Sequence, residues 1–66
     1  MNMETDCLKS LAKAYLQALS DYRRKPSDHH QGVLAVLKEQ IELALGYQVD
    51  DAEQWAIHAR TNYVQR

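Results

Sequence analysis

Sixty-six residues, 45% of them hydrophobic, at a net charge of −1, make one small folding domain spanning residues 1–66, too apolar for a disordered chain. The near-neutral balance gives no long-range pull toward nucleic acid or an anionic membrane, and the single cysteine, Cys7, excludes an internal disulfide. No run approaches the ~18 apolar residues of a membrane span, and "MNMETDCLKS" lacks the basic and apolar regions of a signal peptide, so the expected location is a reducing cytoplasm.

The first helix is predicted from about Thr5 to Arg24. Leu8, Leu11, Ala12, Tyr15, Leu16, Leu19 and Tyr22 recur at three- and four-residue spacing, which makes one apolar stripe on a helix. Thr5 is placed to cap its start, and Arg23, Arg24 and Lys25 sit at the negative end of its dipole. Pro26 then disfavours helical geometry at Lys25. A second helix is expected from about Asp28 to Leu45, capped by Ser27, or by Asp28 with Gln31 closing a capping box. Val33, Leu34, Leu37, Ile41, Ala44 and Leu45 form its stripe, and Gly46 is the expected left-handed stop. A third helix is expected from about Asp51 to Tyr63, with Asp50 and Glu53 as its capping box and Ala52, Trp55, Ala56, Ala59 and Tyr63 on its apolar side. The one proline and both glycines fall where helices are expected to break, and no alternating β pattern is present. The predicted fold class is all-α, a small three-helix bundle: an antiparallel helical hairpin plus a shorter third helix packed across it, forming a dimer.

The stretch "YRRKPSDHHQG" has the look of chemistry, but turn formation accounts for each residue type in it. His29, His30, His58 and Cys7 are the only candidate soft ligands for a metal. Adjacent histidines on a helix point about 100° apart, and no H-x-x-x-H or C-x-x-C spacing exists. No metal and no cofactor is expected. His30 falls within the second helix's apolar arc with Val33, Leu37 and Ile41, which makes pH-dependent packing an expectation. Cys7 reads as a small hydrophobe, and three short helices leave little room for a substrate cavity. The chain is therefore not expected to be an enzyme.

In "IELALGYQVDDAEQWAIHAR", Leu45, Gly46 and Tyr47 match a turn, Ile41 an anchor before it, and Ala52 and Trp55 anchors after it. These residues resemble a helix-turn-helix, which implies a minimal DNA-binding regulator as the alternative function. Glu42 departs from that pattern where a small residue belongs, and Asp50, Asp51 and Glu53 would meet phosphates. Nucleic acid is accordingly not the expected partner.

The favoured function rests on surplus apolar surface. Cys7, Ala14 and Ala18 extend the first helix's arc to one side; Val36, Gln40 and Leu43 make a second stripe on the second helix; Ile57 and Val64 lie off the core side of the third. A chain this small has no core large enough to take them all. The expected function is a small non-enzymatic protein-binding module, an adaptor, regulator or inhibitor of a larger protein, acting through an apolar helical face as a homodimer. Charge is uneven along the chain. Residues 28–54 hold one basic and six acidic side chains, so Glu39, Glu42, Asp50, Asp51 and Glu53 are the expected acidic rim of the docking surface.

Overall fold

Three helices follow one another in the computed structural model: α1 (Met3–Arg24), α2 (Asp28–Leu45) and α3 (Ala52–Asn62). Residues 3–62 are described, with side chains from Cys7 to Arg60. No strand occurs among the described residues. Helix α1 starts at Met3, so Thr5 lies inside it and is not its cap. Its 22 residues make it about 33 Å long, close to the 38 Å long axis of the whole fold.

Helix α1 ends as expected at the Arg23–Arg24 pair, where the Lys25 amide still donates to the Asp21 carbonyl at 2.9 Å. Three residues later α2 begins. Ser27 is its N-cap: the backbone is extended there (φ −159, ψ 161) and Ser27 Oγ accepts from the His30 amide at 3.1 Å. Of the two caps weighed for α2, the serine is the one that forms. Helix α2 stops at Gly46, which is left-handed at φ 87 and donates its N–H to the Glu42 carbonyl at 2.8 Å. Gly32, by contrast, breaks nothing; it lies in the interior of α2 with helical geometry.

The cap of α3 shifts by one residue from the expected one. Asp51 Oδ1 accepts from the Gln54 amide at 3.1 Å, and the Asp51 carbonyl takes the Trp55 amide at 3.0 Å. Six residues are needed to turn from Leu45 into α3, one more than the longest loop anticipated, and Asp50 is spent in that turn. Glu53 is thereby released from capping and pairs with Arg23 of α1, with both carboxylate oxygens 2.9 Å from Nη2.

Helix α1 is the spine, since α2 and α3 each pack along it and touch one another far less. Two small cores result. In one, Ala12 of α1 meets Ala56 and Ala59 of α3, with Tyr15, Leu16 and Trp55 around them. Alanine against alanine brings the two helix backbones close, and the larger residues close the sides. In the other, Ile41, Val49 and Ala52 join α2, the connection and α3 under Leu11, Tyr15, Leu45 and Trp55. Tyr15 and Trp55 belong to both clusters and tie them together. Ile41 is the one large side chain fully buried among the described residues. Ala44, expected in the buried stripe of α2, is exposed because α3 leans on α1 and leaves that edge of α2 open.

The surface of the chain is 4805 Å² at 7.6 kDa, against about 4,300 Å² for a compact monomer of that mass. The radius of gyration, 11.8 Å, exceeds the ~10.8 Å expected of 66 residues.

Candidate functional site

Two of the three exposed large hydrophobic side chains among the described residues, Val36 and Leu43, lie on α2, and the third, Tyr47, follows it. A helix with one apolar face needs one neighbour, whereas a helix apolar on two sides needs two. Helix α2 carries only Asp28, Lys38, Glu39 and Glu42 as charged residues over its 18 positions. Its inner side presents Ile41, fully buried, with Leu34, Leu37 and Leu45 half-buried. On a 100° wheel, Val36, Gln40 and Leu43 fall on the side opposite Leu34 and Leu45, with Gly32 at its edge. Val36 is 56% exposed and Leu43 71%. Tyr47, one residue past the left-handed stop, continues the row at 62% exposure.

Two shallow concavities mark the ends of this row. One, of about 470 Å³, is lined by Asp28, His29, Gly32, Val33, Val36 and Leu37. Gly32 is exposed among these lining residues, and a Cβ placed there meets nothing within 4 Å. The other, of about 430 Å³, is lined by Glu39, Glu42, Leu43, Gly46, Tyr47 and Gln48. Both are apolar in floor and carry acidic residues at the edge.

The predicted interface residues separate on this surface. Val36, Gln40 and Leu43 are exposed on one face of α2, as expected. Cys7 and Ala14 are exposed on α1, away from that row. Ala18, expected in the exposed row with them, is buried at 9% exposure; it belongs to the part of α1 covered within the fold. Ile57 is half-buried, and Val64 lies outside the described residues. Tyr47 and Gly32 were missed. From sequence Tyr47 reads as part of the turn after α2, and Gly32 as a helix break. An interior helix glycine with apolar neighbours one turn away was the signal for the notch.

The acidic rim is smaller than the count of acids suggested. Glu39 and Asp50 are exposed. Glu42 instead holds the connection, its Oε2 accepting the Val49 amide at 2.9 Å. Asp51 caps α3, and Glu53 binds Arg23. Their charges are felt at Tyr15: burial first, then the carboxylates of Glu53 and Asp51, raise its hydroxyl above the usual 10.0, while Arg23 opposes them.

The histidine pair is part of the turn. His30 Nδ1 lies 2.9 Å from the Lys25 carbonyl and 3.2 Å from Ser27 Oγ. A carbonyl only accepts, so this nitrogen carries a proton. The ring thus ties the last turn of α1 to the first of α2, with His29 tilted beside it at 5.6 Å between centroids. Among the described residues no three of His, Cys, Asp and Glu gather as a metal site requires. No described helix is long and apolar enough to cross a membrane.

The helix-turn-helix-like segment keeps its turn and its anchors: Gly46 is left-handed, and Ile41 and Ala52 share a core with Trp55. Its two helices, however, rest on α1 more than on each other. No protein-family model, characterised protein or solved structure matches the chain.

Proposed function

We propose that this chain is a non-enzymatic protein-binding module, an adaptor, regulator or inhibitor, that docks through the outer face of α2. The observation that carries the reading is the exposed row Val36, Leu43 and Tyr47 on a helix whose opposite side already holds the core. Burying side chains of this kind stabilises a complex by about 1–2 kcal/mol each, and an aromatic anchor at one end is what protein interfaces favour. The mode is helix against helix or helix in groove, with Glu39 on the flank of the row.

A photo-crosslinking residue placed at Leu43 in producing cells tests this. The reading expects a discrete adduct of higher mass from Leu43 and none from Gln17, an exposed position on α1. Equal labelling from both positions, or no adduct from Leu43, would count against it. The second reading, a DNA-binding regulator, has the preserved Gly46 turn in its favour. It requires binding to duplex DNA that weakens steeply with salt and is lost on neutralising Arg60 or Arg23.

A further inference from the structure

The geometry points to a small phosphate monoester as the ligand of a hollow between α1 and α3, held by Lys13 and Arg60 with help from Gln17 and Ser20. The site lies apart from the outer face of α2 and does not depend on what docks there.

The placement follows from how α3 lies on α1. Lys13, Leu16, Gln17 and Ser20 recur at three- and four-residue spacing, so they form one stripe along α1. Helix α3 runs antiparallel beside it: Glu53 pairs with Arg23 near one end, and Ala56 and Ala59 pack with Ala12 toward the other. Arg60 follows Ala59 and lines the same hollow as the stripe. The hollow measures about 290 Å³, at the small end of ligand cavities, which start at about 300 Å³. That suits a phosphoryl group with a few carbon atoms, and Leu16 gives the carbons an apolar surface. The two cations come from different helices, so only the folded chain brings them together.

Charge selects the ligand. Lys13 and Arg60 are exposed, and among the described residues neither has an ion pair or a hydrogen bond. No carboxylate lines this hollow, whereas the two on α2 carry Asp28 in one and Glu39 and Glu42 in the other. Asp21, one turn beyond Gln17, is held by Arg24 at 3.0 Å and accepts from the Gln17 amide at 3.2 Å. Its charge is thereby matched, and the second Gln17 N–H stays available. A guanidinium fork suits two phosphate oxygens, an ammonium takes a third, and hydroxyl and amide complete the set. Two cations match a dianion, the form of a phosphate monoester above about pH 6. The C-terminal end of α3 beside Arg60 is negative by its dipole and works against any anion. With both cations exposed as well, millimolar binding is what such a site supports.

The test titrates the isotope-labelled full chain with glycerol phosphate at neutral pH, to tens of millimolar, at constant ionic strength. Saturable amide shifts are expected at Lys13, Gln17, Ser20 and Arg60, with the Gln17 side chain among them, and none at Val36 or Leu43. K13Q and R60Q alter exposed side chains, so each is expected to keep wild-type circular dichroism and to bind roughly ten-fold more weakly. K25Q, in the turn before α2, is expected to leave binding unchanged. Acetate, a monoanion, is expected to bind roughly ten-fold more weakly than the dianion. Shifts that do not saturate, or that spread equally over Arg23, Arg24 and Lys25, would overturn the inference. So would saturation that K13Q and R60Q leave untouched. A parallel titration with a short DNA duplex separates the sources of phosphate. Micromolar binding to the duplex that R60Q abolishes would make the ligand a nucleic-acid backbone and overturn the assignment to a small ester.

Discussion

The two glycines give the sharpest perturbation, because the same substitution has opposite signs at the two positions. At Gly32 the backbone is helical and an added Cβ meets nothing within 4 Å. Alanine there restricts the unfolded chain and improves helix propensity, worth roughly 0.5–1 kcal/mol. In a domain of this size that is a rise in melting temperature of about 2–8 °C. At Gly46 space is equally open, but φ is 87. A side chain in left-handed geometry costs about 1–2 kcal/mol, so G46A is expected to lower the melting temperature by about 4–16 °C. Thermal unfolding followed by far-UV circular dichroism, at low micromolar protein so that self-association plays no part, reads both. If G32A destabilised the chain under those conditions, Gly32 would be serving the monomer's own packing, and the account of its notch as a surface feature would fall.

Other perturbations test the frame that holds this face in place. E42A strands the Val49 amide that Glu42 now satisfies, and urea unfolding should register a loss of about 1–2 kcal/mol. A56L pushes a larger side chain into the alanine contact between α1 and α3, and is expected to cost about 1–3 kcal/mol by the same assay. The Arg23–Glu53 pair is 61% and 36% exposed, so R23A should change stability by less than about 1 kcal/mol at ordinary salt. Tyr15 sets an alkaline limit. Its folded hydroxyl ionises above the usual 10.0, so the unfolded chain loses that proton first. Stability is intact below 10.0 and falls as the pH climbs through the folded value. Urea midpoints on either side of 10.0 should therefore diverge less in Y15F than in wild type.

Local signals were easiest to read where one residue type had one job. The bounds of α2 follow from Ser27 at one end and Gly46 at the other, and both act as their chemistry dictates. The apolar spacing on α1 placed Leu8 and Ala12 in the core, where they lie. What sequence could not settle was which of two similar residues would be used. Asp50 and Asp51 are both good caps, and the length of the turn from Gly46 decides for Asp51. Glu42 and Glu53 look like surface acids, yet tertiary approach gives them the Val49 amide and Arg23.

The candidate face was legible in part for a similar reason. Helical angle alone puts Val36, Gln40 and Leu43 together. Whether Ala18 is covered depends on how the helices settle along α1, and whether Tyr47 turns inward or outward depends on the path after Gly46. Neither is a property of a single helix. Gly32 is the opposite case: glycine as a residue type signals a stop, although the flanking periodicity runs straight through it.

The measurement that bears most directly on the role of α2 is photo-crosslinking in producing cells from a scan of positions along the chain. The account predicts adducts of one discrete mass from Val36, Leu43 and Tyr47, which are exposed on or beside the outer face of α2, and none from Lys13 and Gln17 on the far side of α1. Adducts centred on α1 and α3 instead, with none from the outer face of α2, would contradict it.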